Sequence, residues 1–133
     1  MNPSDGKKFR VIDANFNRAR EALRIIEDSA RFINDDEKIY ARVKRLRHEL
    51  SRLTQGIYPR LLRNRDSVSD VSALKKEAGR KDCGEVLKAN FMRAEEAMRV
   101  LEEFSKLISP AAGYRLKRLR FRVYGIEKEM MAK

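Results

Sequence analysis

Residues 14–27 read A-N-F-N-R-A-R-E-A-L-R-I-I-E, and residues 89–102 read A-N-F-M-R-A-E-E-A-M-R-V-L-E. Nine of the fourteen positions are identical at an offset of 75, and three of the other five exchange one apolar residue for another. A chain of 133 residues that spells one segment twice is building the same unit twice. In the first copy Phe16, Ala19, Leu23, Ile26, Ala30 and Ile33 recur at spacings of three and four, mirrored by Phe91, Ala94, Met98, Leu101, Ser105 and Ile108. Such spacing keeps each set on one face of an α-helix. A second stripe follows in each copy: Val43, Leu46, Leu50, Leu53 and Ile57 align with Leu116, Leu119, Val123, Ile126 and Met130 at an offset of 73. The two residues lost between offsets fall in the turn, so each repeat reads as a helical hairpin.

The punctuation agrees. Asn34-Asp35-Asp36 interrupts the first hairpin, and Ser109-Pro110 supplies the second with an N-cap and a proline at the first helical position. Asp82 and Glu85 have capping-box spacing ahead of the third long helix. Strand patterns are absent. The expected fold is all-α: one domain over 1–133, an antiparallel helical bundle of two duplicated hairpins. Repeat 1 covers about 9–57, repeat 2 about 83–131, and a loop-rich connector, 58–82, opens with Pro59 and a short helical stretch.

Composition narrows the class. The chain is 42% hydrophobic and 38% charged, which fits neither a membrane protein nor a disordered one. The amino end, Met-Asn-Pro-Ser-Asp-Gly-Lys-Lys, lacks a leader's apolar segment, and a cytoplasmic location is expected. A single cysteine, Cys83, excludes an internal disulfide and a cysteine-cluster metal site. Thirty-one Lys and Arg against 20 Asp and Glu give a net charge of +11, which favours anionic partners: nucleic acid, a membrane surface or phosphorylated small molecules.

Apolar identity between the repeats serves the core; polar identity needs another reason. Asn15/Asn90, Arg18/Arg93, Glu21/Glu96, Arg24/Arg99 and Glu27/Glu102 are the same residue in both copies. On an ideal wheel Asn15 and Glu27 lie within about 60° of the apolar stripe's centre, with Arg18 and Arg24 at its edges. Two readings stand. The polar residues pair within the bundle, or two half-sites converge on a phosphate-bearing ligand gripped by arginine forks. In the connector, Arg63, Arg65, Asp66 and Asp70 form a cluster that could hold a magnesium–phosphate unit or simply be solvated. His48, replaced by Phe121 in the second copy, suggests a half-buried helix position. The runs Lys44-Arg45-Leu46-Arg47 and Lys117-Arg118-Leu119-Arg120 suit either nucleic acid or amphipathic core helices. Neither standard glycine-rich nucleotide loop occurs.

Four segments carry a resemblance: R-V-I-D-A-N-F-N-R-A-R-E-A-L-R-I-I-E-D (10–28), L-R-H-E-L (46–50), R-D-S-V-S-D (65–70) and A-N-F-M-R-A-E-E-A-M-R-V-L-E-E (89–103). Together they resemble the small all-helical hydroxymethylpyrimidine-phosphate kinase family of thiamine biosynthesis. That family occurs alone or fused ahead of thiamine-phosphate synthase, including the amino-terminal extension of cyanobacterial synthases. With no synthase domain following, the standalone form or an excised domain is expected. The resemblance implies transfer of the ATP γ-phosphate, with Mg²⁺, to 4-amino-5-hydroxymethyl-2-methylpyrimidine phosphate, giving the diphosphate. The positions that match its motifs are Asn15, Arg18, Glu21, Arg24, Arg47, His48, Arg65, Asp66, Asp70, Asn90, Arg93, Glu96 and Arg99. Two depart from it: Ser72 stands where a glycine is expected, and Glu95 where glutamine is common.

The implied chemistry suits the residues. A phosphate oxygen is already ionised at neutral pH, so no general base is required, and transfer rests on positioning and charge neutralisation. Arg18, Arg24, Arg93 and Arg99 are expected to clamp phosphates with Arg47 and Arg65 assisting, and Asp66 and Asp70 to hold Mg²⁺. The implied partners are a phosphorylated pyrimidine, ATP and, through the pathway, thiamine-phosphate synthase; no membrane is involved, and a homodimer is compatible. A basic helical nucleic-acid-binding module is the rival class, disfavoured by carboxylates that recur with the arginines. An all-helical isomerase of the chorismate mutase type is the enzymatic rival, separable by its independence of ATP and magnesium.

Overall fold

The apolar stripes become helices, with their ends where side chains can satisfy the terminal N–H groups. The computed structural model describes residues 4–132, so the start of the amino-terminal segment read as lacking a leader lies outside the described residues. Five α-helices are present: α1 (Ser4–Asp28), α2 (Glu37–Gln55), α3 (Tyr58–Asn64), α4 (Cys83–Ser105) and α5 (Pro110–Met131). There is no strand among the described residues. Asp36 caps α2 by accepting from the Ile39 N–H at 3.0 Å, and Ser109 caps α5 by accepting from the Ala112 N–H at 3.3 Å. At α4 the Asp82 carboxylate accepts from the Glu85 N–H at 2.8 Å, while the Glu85 carboxylate reaches back to the Lys81 N–H at 2.8 Å, one residue before the capping residue. No helix is long and apolar enough to cross a membrane among the described residues.

The helices pack as a bundle around α1 and α4, which share the most extensive contact. Ile12, Leu23 and Ile26 of α1 and Phe91, Met98 and Leu101 of α4 are almost wholly buried, and Ala19, Ala22, Ala94 and Ala97 between them let the two backbones approach closely. Helix α2 lies on α1 and α5 on α4. Gly113 permits the latter approach: a Cβ there would stand 2.8 Å from the Lys106 side chain and 3.3 Å from the Glu102 carbonyl oxygen. Helices α2 and α5 are antiparallel, because Arg42 pairs with Glu129 and Glu49 with Arg122, so that seven residues forward on one helix is seven residues back on the other. Leu61 anchors the short α3 against α1 with no exposed surface.

Two expectations are corrected. The last members of the first stripes, Ile33 and Ile108, are exposed. After Asp28 the helix widens into a π-turn over Ser29–Ile33, with the Asn34 N–H donating to the Ser29 carbonyl at 3.0 Å. Each residue now advances by less than the α-helical angle, which rotates Ile33 off the buried face. Helix α4 ends at Ser105, so Ile108 falls beyond it in the turn before α5. His48, expected half-buried, is exposed, as is Phe121 at the matching position of α5. The buried face of α2 is formed by Ile39, Val43, Leu46, Leu50 and Thr54, leaving His48 to solvent.

Two carboxylates lie inside this core. Glu27 and Glu102 are each only 1% exposed. Glu27 accepts from Arg47 Nε at 3.0 Å and Nη2 at 3.3 Å, and from Arg24 Nη1 at 2.9 Å. Glu102 accepts from Arg120 Nε and, at 3.2 Å, from Arg120 Nη2, with Arg99 Nη1 3.5 Å away. Each glutamate thus takes a guanidinium fork from the following long helix and a second arginine one turn back on its own helix. A buried ion bound this way is tolerated; the same ion with its fork removed is not. Arg47→Met should therefore cost about 3 kcal/mol of unfolding free energy, and Arg24→Met, whose side chain is half in solvent, under about 1 kcal/mol. Urea denaturation of the two variants checks the difference.

Between α4 and α5 a third carboxyl behaves differently. Burial pushes the Glu95 carboxyl up to about 8, aided by a hydrogen bond to Glu127 and by the charges of Glu127 and Glu96, with Arg120 opposing. Glu95 therefore keeps its proton near neutral pH. Below its unfolded value of 4.5 both states hold the proton and this stabilisation is complete; as pH rises from there to about 8 only the folded state holds it, and stability falls. Glu95→Gln keeps a donor toward Glu127 and should flatten that slope. Its melting temperature should match the parent at pH 4.5 and exceed it at pH 8.5, as thermal denaturation across that range would read.

Candidate functional site

The residues repeated in both halves separate into two groups once the helices are packed. Arg18 and Glu21 of α1 and Arg93 and Glu96 of α4 come together on one side of the α1–α4 pair, around a cavity of about 610 Å³. Asn15 contributes to its wall, and the connector covers it with Asp70, Ser72, Lys75 and Glu77. A second cavity, about 760 Å³, continues along α1 and is lined by Lys7, Arg10, Asp13, Arg65 and Asp66. The two share Asn15, Asn17, Arg18, Glu21 and Asp70, so they are lobes of one cleft. Each lobe is within the size range of small-molecule sites.

Three local features hold the connector over the cleft. Arg65 grips Asp13 with a two-pronged fork, Nε to Oδ2 and Nη2 to Oδ1, both at 2.7 Å. Asp13 is 5% exposed, and its carboxylate raises the Arg65 guanidinium above its ordinary value, mainly through this hydrogen bonding. The chain then turns on its own acids: Asp66 Oδ1 accepts from the Ser69 N–H at 2.9 Å, and Asp70 Oδ1 from the Ser72 N–H at 3.1 Å. The Ser69 N–H holds the Asp66 carboxyl below its usual range, so it is an anion at neutral pH. At the far end Arg93 reaches Glu77 at 3.6 Å.

Asp13 carries no repeat signal, because its counterpart at the repeat offset is Lys88. The available signal was weaker: an acid one residue past the buried Ile12 on the apolar face, which needs a cation somewhere else in the chain.

The other motif positions lie elsewhere. Arg24, Arg47 and Arg99 are engaged by the buried glutamates described above and line neither lobe. Arg99 borders a shallow hollow with Arg120 and Tyr124 on the α4–α5 side. Asn90 is buried and donates to the Val86 carbonyl at 2.7 Å, as Asn15 donates to Val11 at 2.9 Å, so both amides spend one donor on their own helix. Asn15 differs in that its Oδ1 also accepts from Arg18 Nη1 at 3.4 Å, at the edge of the cleft. His48 is exposed on α2 and lines neither lobe.

Arginines and lysines from α1, α4 and the connector thus face one another across a cleft to which the helices contribute Asp13, Glu21 and Glu96 and the connector Asp66, Asp70 and Glu77. Asp66 and Asp70 each commit one oxygen to a loop N–H, and both residues line the cleft. Among the described residues no group of three or more His, Cys, Asp or Glu side chains is arranged to hold a metal ion by itself. Two carboxylates suit a hard cation that takes most of its remaining oxygens from phosphate and water.

A family model described as the ThiD2 family matches residues 10–129. The thiamine-phosphate synthase of Nostoc punctiforme is 41% identical over 126 residues, covering 92% of this chain and 35% of the relative. That of Synechocystis sp. is 42% identical over 125 residues, covering 92% and 36%. That of Thermosynechococcus vestitus is 38% identical over 129 residues, covering 96% and 36%. The chain spans about a third of the length of these curated relatives. No solved structure matches it. With the family model running from the first turns of α1 to the end of α5, the chain belongs to the ThiD2 family.

Proposed function

We propose that this chain is an ATP-dependent kinase that phosphorylates 4-amino-5-hydroxymethyl-2-methylpyrimidine phosphate to the diphosphate for thiamine biosynthesis. The observation that carries the reading is the two-lobed cleft, in which Arg18 and Glu21 meet Arg93 and Glu96 under a connector bearing Asp66 and Asp70. Family membership and the link to thiamine-phosphate synthases point the same way. In this reading the halves are copies of one hairpin, supported by the matched Glu27–Arg47 and Glu102–Arg120 pairs.

Two lobes give room for two anionic reactants side by side. An oxygen of the acceptor's phosphate attacks the γ-phosphorus of ATP, the bond from that phosphorus to the β,γ-bridging oxygen breaks, and ADP leaves. No proton need be removed from the attacking oxygen, so the site requires no catalytic histidine, and an exposed His48 fits that requirement. Arg18 and Arg93, from opposite helices, hold the reacting phosphates in line and offset their mutual repulsion. Arg65, fixed by Asp13, positions the connector rather than a substrate. Asp66 and Asp70 would hold Mg²⁺, which when bound neutralises charge on the β- and γ-phosphates. Arg24, Arg47 and Arg99 hold the helices that carry these groups. A free alcohol acceptor would leave guanidinium groups unpaired in the cleft, a reason for the site to refuse it.

Incubation with Mg·ATP and either the monophosphate or the free alcohol, following ADP and diphosphate, tests the proposal. Turnover of the monophosphate alone is expected; no turnover of either by folded protein would remove the kinase reading. Arg18→Gln and Arg93→Gln should each lower kcat/KM by about 100-fold, roughly 2.7 kcal/mol of transition-state stabilisation. The double variant Asp66→Asn/Asp70→Asn should need at least tenfold more Mg²⁺ for half-maximal rate, and an unchanged magnesium requirement would dismiss both as ligands. Asp13→Asn breaks the fork to Arg65 and should raise KM while increasing proteolytic cleavage in residues 65–82, read by limited proteolysis.

A further inference from the structure

A second basic feature lies outside the cleft, on the seam between α2 and α5. Leu53 and Leu119 floor a groove of about 550 Å³ whose walls carry Arg52, Arg115, Arg118 and Arg122, with Glu49. Arg122 donates to Glu49 at 2.7 Å, so the groove's single carboxylate is already occupied. Arg52, Arg115 and Arg118 are exposed and have no ion pair or hydrogen bond among the described residues. The antiparallel register set by the Arg42–Glu129 and Glu49–Arg122 pairs brings Arg52 of α2 level with Leu119 and Arg118 of α5 level with Leu53. Guanidinium groups therefore approach the apolar floor from both walls. Elsewhere Arg47 of α2 and Arg120 of α5 are bound to buried glutamates; here three exposed arginines have no carboxylate partner.

We propose that this groove is a binding site for a phosphorylated small molecule, its phosphate gripped by Arg52, Arg115 and Arg118 and its apolar body resting on Leu53 and Leu119. The chemistry of the lining selects that class. Three planar forks around one concavity suit the several oxygens of a phosphate or diphosphate, and an apolar floor suits an attached ring. The seam is not basic for long, because beyond Glu49 it reaches Glu129, held by Arg42 at 2.7 Å. A nucleic-acid backbone following the seam would meet those carboxylates, whereas a small molecule need not leave the groove. The groove shares no residue with the α1–α4 cleft, so the site is a second one.

Isothermal titration calorimetry in 150 mM NaCl, with inorganic pyrophosphate and phenyl phosphate as probes, tests this. The intact chain is expected to bind pyrophosphate at two sites, and Arg115→Gln/Arg118→Gln to lose one of them by at least tenfold while kinase turnover is unchanged. Phenyl phosphate should outbind inorganic phosphate at the groove. Arg52→Gln gives a second, single-residue reading, and far-UV circular dichroism confirms that both variants fold. Pyrophosphate stoichiometry unchanged in both variants overturns the proposal, as does tighter groove binding of a 20-nucleotide single strand that the same variants abolish. Failure of the cleft assignment looks different: Arg18→Gln would then leave pyrophosphate binding intact while the groove variants still reduce it.

Discussion

The fold depends on burying two negative charges beside its main helix–helix contact. Glu27 and Glu102 are almost without solvent, and each is held by a guanidinium fork from the neighbouring long helix. Taking a carboxylate out of water costs several kcal/mol, returned only where cation and hydrogen bonds are in good geometry. The register of α2 on α1 and of α5 on α4 is thereby specified more narrowly than apolar packing would specify it. A one-residue slip would strand a buried ion, while Leu, Val and Ile tolerate small shifts.

That demand also divides the arginines. Arg24, Arg47, Arg99 and Arg120 are consumed by the buried glutamates, and their positions are near or inside the helix interfaces. Arg18 and Arg93 sit two turns earlier on α1 and α4, where the helices' shared alanines give way to open space and the connector crosses above. The ligand chemistry proposed for the cleft and the packing chemistry of the core thus draw on the same residue types from the same repeated segment, and only burial of the partner carboxylate tells them apart. The bidentate Asp13–Arg65 pair links the two, fixing a loop that carries exposed acids to a helix that is otherwise core.

Much of the helical architecture was legible because periodicity is a local property. Stripes at spacings of three and four, the capping residues Asp36, Asp82 and Ser109, and the short helix with Pro59 in its first turn all rest on contacts a few residues long. The π-turn over Ser29–Ile33 was not legible, since widening one turn changes hydrogen bonding without changing the apolar pattern, and Ile33 kept its stripe position while losing its burial. At the cleft, identity between the repeats picked out Arg18, Glu21, Arg93 and Glu96, which line one cavity, together with Arg24 and Arg99, which do not, and offered no way to separate the two sets. Both sets lie at the edge of the same helical face; which carboxylate claims which arginine is decided by the crossing of helices far apart in sequence. Asp13 was invisible for the complementary reason, being a feature of one half alone.

In the proposed function, phosphate is held between α1 and α4 by arginines that the core leaves free. Heteronuclear NMR of the intact chain, titrated with the pyrimidine monophosphate while following the arginine Nε–Hε signals, tests it most directly. Arg18 and Arg93 are expected to shift and saturate together while Arg47 and Arg120, closed in their buried forks, stay in place. Saturating shifts at Arg47 or Arg120 with Arg18 and Arg93 unmoved would contradict it.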